Sequence, residues 1–62
     1  MNYLSHKLYE SVDVKSTNGV YQQVADFCAY HEGDIELFTP NEVVFYDGSA
    51  VSYDDYSITV AG

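Results

Sequence analysis

Cys28 is the only cysteine in a chain of 62 residues, so no internal disulfide can brace the fold. A chain this short hides only about 60% of the surface it exposes when unfolded. Its core must therefore be dense in large apolar side chains, or a second apolar face must be buried by self-association. Seven tyrosines and three phenylalanines suit either solution. The apolar fraction of 47% separates the chain from disordered acidic segments, which are poor in aromatics. The expectation is one small domain over residues 1–62.

Charge is distributed unevenly. Lys7 and Lys15 balance Glu10 and Asp13 within the first fifteen residues. From residue 16 onward there is no lysine or arginine, yet Asp26, Glu32, Asp34, Glu36, Glu42, Asp47, Asp54 and Asp55 follow, and the net charge is −8. Such a field repels nucleic acids and anionic membranes and attracts basic surfaces over long distances. Direct binding to either polyanion is excluded on this ground. Met1 to Lys7 lacks the basic and apolar regions of a secretory leader. No run approaches the about 18 apolar residues of a membrane span. One free thiol suits a reducing compartment. The chain thus reads as a complete short cytoplasmic protein, of the host cytoplasm if viral.

Along the chain, Tyr3 to Val14 places Leu4, His6, Leu8, Val12 and Val14 on one parity, a period of two broken at Glu10. This predicts a half-buried strand, although Leu4, Leu8 and Val12 also suit a short helix. Residues 15–19 form a polar connector. Over residues 19–32 the period becomes helical, with Val20, Val24, Phe27, Cys28 and His31 on one side. Ser16, Thr17 or Asn18 would cap its start, and Gly33 would end it in a left-handed conformation. Asn18-Gly19 is also a hairpin signal. Gln22-Gln23 and Ala25-Asp26 break a strand's alternation and keep a helix's, which favours the helix.

Beyond Gly33 the pattern is that of a β-meander. Ile35 and Leu37 alternate with Asp34, Glu36 and Phe38, and a turn follows at residues 39–42. Val43 to Tyr46 is the most strand-prone stretch. A two-residue turn is expected at Asp47-Gly48 and another tight turn at Asp54-Asp55. Thr39, Pro40 and Glu42 also fit a capping box for a short helix over 40–46. The predicted fold class is α+β: one helix packed on a small, mostly antiparallel sheet of three to five strands.

The residues offer little chemistry. Cys28 and His31 share a helical face and could serve as nucleophile and base, or as half a zinc site. That face is the one expected to point into the core, and His6 would have to supply a third ligand. Asp47, Ser49, Asp54 and Asp55 lack the ligand spacing of a calcium loop, and turn aspartates ordinarily make the turn. There is no glycine-rich phosphate loop and little volume for a substrate cavity. No enzyme, cofactor or metal is expected.

Ordinary solvated surfaces intersperse both charge signs, and forty-seven residues without a cation do not. A protein-binding inhibitor follows as the leading expectation, one that presents an acidic, DNA-like face to a basic, nucleic-acid-binding target. Residues two apart on a strand repeat at about 6.7 Å, comparable to successive phosphates. Asp34 and Glu36 would have that relation, with Glu42 across the turn. Asp26 and Glu32 would extend the field on the helix, and Asp47, Asp54 and Asp55 at the turns. Tyr30, Phe38, Tyr46, Tyr53 and Tyr56 would supply apolar anchors. In size, acidity and aromatic content the chain resembles the small inhibitors that phages direct at restriction, CRISPR, repair-glycosylase or transcription enzymes. The likeness is one of character, and no residue role is taken from it. The alternative is a small homodimeric assembly module that docks through exposed tyrosines and is acidic only for solubility. A neutraliser of a basic toxin is a third possibility.

Overall fold

The computed structural model describes residues 3–61. Two helices, α1 (Leu4–Ser11) and α2 (Val20–Tyr30), precede a 3-10 helical turn at Glu32–Asp34. Four strands follow: β1 (Ile35–Thr39), β2 (Glu42–Phe45), β3 (Ala50–Tyr53) and β4 (Ile58–Ala61). They form an antiparallel sheet in the order β1-β2-β3-β4, so the chain is an α+β meander with both helices packed on one face.

The two faces follow from the register. Phe38, Val43, Val51 and Val60 are cross-strand neighbours, as are Ile35 with Phe45 and Tyr53 with Ile58. These side chains face the helices. Val43, Phe45 and Val51 are fully buried there against Leu8, Val20 and Val24. On the other face Leu37, Val44, Ala50 and Ala61 make one row across all four strands, and Thr39, Glu42, Ser52 and Thr59 make the next. Among the described residues no element covers this outer face.

The N-terminal segment corrects the expected strand over residues 3–14. It is the helix α1, with Leu8 buried and Leu4 and Val12 packed against the core one turn to either side. The period of four wins because the first turn finds its partners elsewhere in the chain. Tyr3 caps nothing with its side chain. The Leu4 N–H instead donates to Asp47 Oδ2 at 2.8 Å, and the Ser5 N–H donates to Ser49 Oγ at 3.3 Å. A helix start leaves such N–H groups unsatisfied unless a partner arrives. Here it arrives from more than forty residues away.

The helix expected over residues 19–32 is present as α2, but neither predicted cap is used. Gly19 occupies the N-cap position with φ 73°, and no side chain caps it. Gln23 holds the connector, its Nε2 donating to the carbonyls of Asp13 and Gly19 and its Oε1 accepting the Asp13 N–H. At the other end His31 leads into the 3-10 turn, and Gly33 has no left-handed φ. Val24 is buried and Asp26 exposed, as expected, whereas Phe27 is only half-buried. It lies on the rim, stacked on His31 at 4.4 Å and edge-on to Phe45 at 6.2 Å.

The meander forms with two adjustments. The β2–β3 connection is a three-residue loop, not the two-residue turn expected at Asp47-Gly48. Phe45 N–H donates to Ser49 O at 2.9 Å, and Gly48 N–H donates to Phe45 O at 3.1 Å. Gly48 adopts φ 92°, as the last residue of such a loop requires. In β1 a bulge between Ile35 and Leu37 breaks the predicted alternation. The short helix considered for residues 40–46 is absent, and Val43 to Phe45 are strand.

Candidate functional site

The meander sends the predicted acidic residues to two opposite poles. At one pole lie the β1–β2 and β3–β4 turns, with Glu42, Asp54, Asp55 and Tyr56. At the other, the end of α2 and the 3-10 turn meet the β2–β3 loop. This pole carries Tyr30, Glu32, Asp34, Tyr46 and Asp47, joined where the Tyr46 N–H donates to Asp34 O at 2.9 Å. The expected phosphate-like row of Asp34, Glu36 and Glu42 is therefore not formed. Asp34 belongs to the 3-10 turn, Glu36 sits at the bulge, and Glu42 is half-buried at the far pole.

Two of the carboxylates hold the fold together. Asp47 Oδ1 accepts the Ser49 hydroxyl and, at 2.8 Å, the Ser49 N–H, while its Oδ2 receives the Leu4 N–H. The Ser49 hydroxyl, then the Leu4 amide, hold this carboxyl below the usual aspartate range. Asp54 makes the β3–β4 turn, with Oδ1 accepting the N–H groups of Tyr56 and Ser57 at 2.8 Å and the Ser57 hydroxyl at 3.1 Å. Those bonds, the Tyr56 amide first, lower its pKa as well. Tyr53 is likewise a structural residue and not a surface anchor. It is only 5% exposed, and its hydroxyl donates to Thr39 O. Burial pushes its phenol up to about 12, with smaller contributions from Cys28 and Tyr21.

Asp26, Glu32, Asp34 and Glu36 are exposed, the first on the side of α2 turned toward α1 and the other three where α2 runs through the 3-10 turn into β1. Asp26 accepts a 3.0 Å hydrogen bond from Gln22 Nε2 and lines a shallow groove of about 280 Å³ with Ser11, Gln23, Phe27 and Tyr30. Asp34 lies 3.7 Å from His31 Nδ1, a contact that carries opposite charges only when the imidazole is protonated. Tyr30 is 89% exposed and Tyr46 68%. These two rings and the exposed carboxylates of Glu32, Asp34 and Glu36 bring charge and exposed aromatic area together on this side of the molecule.

On the α2–β1 flank the expected Glu32, Glu36 and Phe38 border a groove whose other lining residues were not expected. Ala25, Cys28, Ala29 and Glu32 of the α2 side face Ile35, Glu36 and Phe38 across an open groove of about 460 Å³. Its floor is apolar and two carboxylates stand on its rim. The sequence signal was the pair of alanines four apart beside Cys28, a stripe too small to fill the gap between helix and edge strand. Cys28 itself is buried, and burial raises its thiol pKa, which makes it a weak nucleophile at neutral pH.

Among the described residues no group of three or more histidine, cysteine or acidic side chains is placed to hold a metal ion. No described helix is long and apolar enough to cross a membrane. No protein-family model matches the chain, and neither does any curated protein or solved structure.

Proposed function

We propose that the chain is a protein-binding inhibitor whose acidic, DNA-like surface occupies the basic face of a nucleic-acid-binding target. The observation that carries this reading is the pole built by Tyr30, Glu32, Asp34, Glu36 and Tyr46. Among the described residues no lysine or arginine forms a salt bridge with its carboxylates, whose one ion-pair contact is that of Asp34 with His31, and Tyr30 and Tyr46 expose their rings on the same pole. Charge density steers a basic partner into encounter, and aromatic rings anchor it once docked. Mimicry on this surface rests on density of charge and not on a regular phosphate-like repeat, because the bulge at Glu36 removes the repeat. Asp47 and Asp54 belong to the scaffold of the inhibitor, and Asp26 to the edge of the surface.

The test is a triple variant, Glu32→Gln with Asp34→Asn and Glu36→Gln. These side chains are exposed, so the variant is expected to melt at the parent's temperature or slightly above it as repulsion is relieved. Binding to the target should weaken by about 1–3 kcal/mol for each desolvated charge pair lost. Duplex DNA should displace the parent from its target, and salt should weaken the complex steeply. A triple variant that inhibits like the parent, with DNA unable to compete, overturns the proposal.

The homodimeric module keeps one observation in its favour. The row Leu37, Val44, Ala50 and Ala61 crosses an outer sheet face that the helices leave uncovered. Sedimentation distinguishes the readings: a dimer that persists in high salt, and that Val44→Lys abolishes, favours the module. A monomer at high micromolar concentration removes it.

A further inference from the structure

The groove between α2 and β1 is open at the sheet's edge, because β1 has a strand neighbour on one side only. Its floor is made of small side chains, Ala25, Cys28 and Ala29, with Ile35 opposite. Glu32 and Glu36 stand at its rim. The bulge places Glu36 there, since two residues of β1 separate Ile35 from Phe38, which share the helix-facing side. Phe38 is 39% exposed and is backed by Tyr21, with ring centroids 6.0 Å apart. An apolar trough, a carboxylate pair and an aromatic face thus border one volume.

We infer that this groove receives an arginine side chain from the target protein. The argument is complementarity. An arginine carries a long apolar stem that gains by lying along apolar surface, and a planar cation that remains outside it. The guanidinium suits carboxylates because it offers a fork of donors, and it stacks on aromatic rings where an ammonium does not. The stem lies over Ala25, Ala29 and Ile35, and the cation meets Glu32 and Glu36 with Phe38 as a flanking face. The assignment rests on the proposed inhibitor reading and gives it a specific seat. It also explains why so apolar a floor is left beside a pole of negative charge.

The probe is a capped valine–arginine–valine tripeptide, titrated into the full chain at low salt and followed by amide chemical shifts. The expected result is weak, saturable binding, with the largest shifts at Ala25, Ala29, Glu36 and Phe38. Replacing arginine by citrulline, which keeps the shape and removes the charge, should weaken it by roughly tenfold, and lysine should be intermediate. Glu32→Gln and Glu36→Gln should each weaken it several-fold, whereas Glu10→Gln on α1 removes the same charge and should leave it unchanged. Ala29→Leu fills the trough without touching charge; it occupies an exposed helical position, where leucine is well tolerated. It should abolish the shifts while the circular dichroism and melting stay those of the parent.

Shifts confined to the far pole around Glu42 and Asp55, or binding indifferent to Ala29→Leu, overturn the groove. If the target then still binds the parent in a salt-sensitive, DNA-competed way, the inhibitor reading stands without it. If salt and DNA leave the target complex untouched, that reading fails on its own evidence, whatever the tripeptide does. Equal binding of the lysine and arginine peptides overturns the choice of arginine.

Discussion

Asp47 illustrates how one residue can mislead when its neighbours in space are unknown. In sequence it is a turn aspartate in an acidic chain, and a partner-facing role was the natural expectation. In the fold its carboxylate serves α1 and Ser49 at once. Its pKa is lowered in the folded state, so the stabilisation it provides is complete above the unfolded value near 3.8 and is lost as pH falls through the folded value. Melting curves recorded downward from neutral pH should hold until about pH 4 and then decline. Asp47→Asn should melt lower than the parent at neutral pH, and the gap between the two should close in acid. Ser5 presents the opposite case. Its side chain is fully buried, and among the described residues its hydroxyl meets no hydrogen-bond partner. Leaving such a group unsatisfied costs free energy, and alanine is the better helix former. Ser5→Ala is therefore expected to be neutral or to stabilise by up to about 1 kcal/mol, measured by denaturant unfolding.

At the scale of elements, the meander was legible because turn signals punctuate short alternating runs, and α2 because eleven residues keep one helical period. The first helix was legible only as the alternative that Leu4, Leu8 and Val12 offered to a strand. Its deciding interactions come from Asp47 and Ser49, and no local pattern announces them. The bulge in β1 was hidden for a related reason: Glu36 and Leu37 continue a plausible alternation, and only pairing with β2 reveals the slip. The groove was invisible as well, since it is a gap between α2 and an edge strand, and gaps have no letters in a sequence. Burial also redistributes the importance of the aromatics. Phe45 is fully buried, so Phe45→Ala should cost about 3–5 kcal/mol. That is a large share of the stability available to a domain this small. Phe27 keeps one side in solvent, and Phe27→Ala should cost roughly half as much. Equal losses for the two variants in chemical denaturation would contradict the placement of the core.

For the whole molecule, the net charge of −8 acts on stability and on binding with opposite sign. Self-repulsion among carboxylates destabilises the compact state, while the same field recruits a basic partner. Moderate sodium chloride is accordingly expected to raise the melting temperature of the free chain and to weaken its complex. A melting temperature that falls with added salt would show that attraction, not repulsion, dominates the surface. The docking of α1 on the β2–β3 loop has a consequence in time. Residues 4–11 leave the ribosome before residues 47–49, whose side chains satisfy their leading amides. A nascent chain stopped before that loop holds α1 without its anchor, so the helix is expected to consolidate after the meander instead of guiding it. Asp47→Ala should then speed unfolding far more than it slows refolding in stopped-flow measurements. On that expectation a segment made before the loop that anchors it is the last to settle and the first to let go.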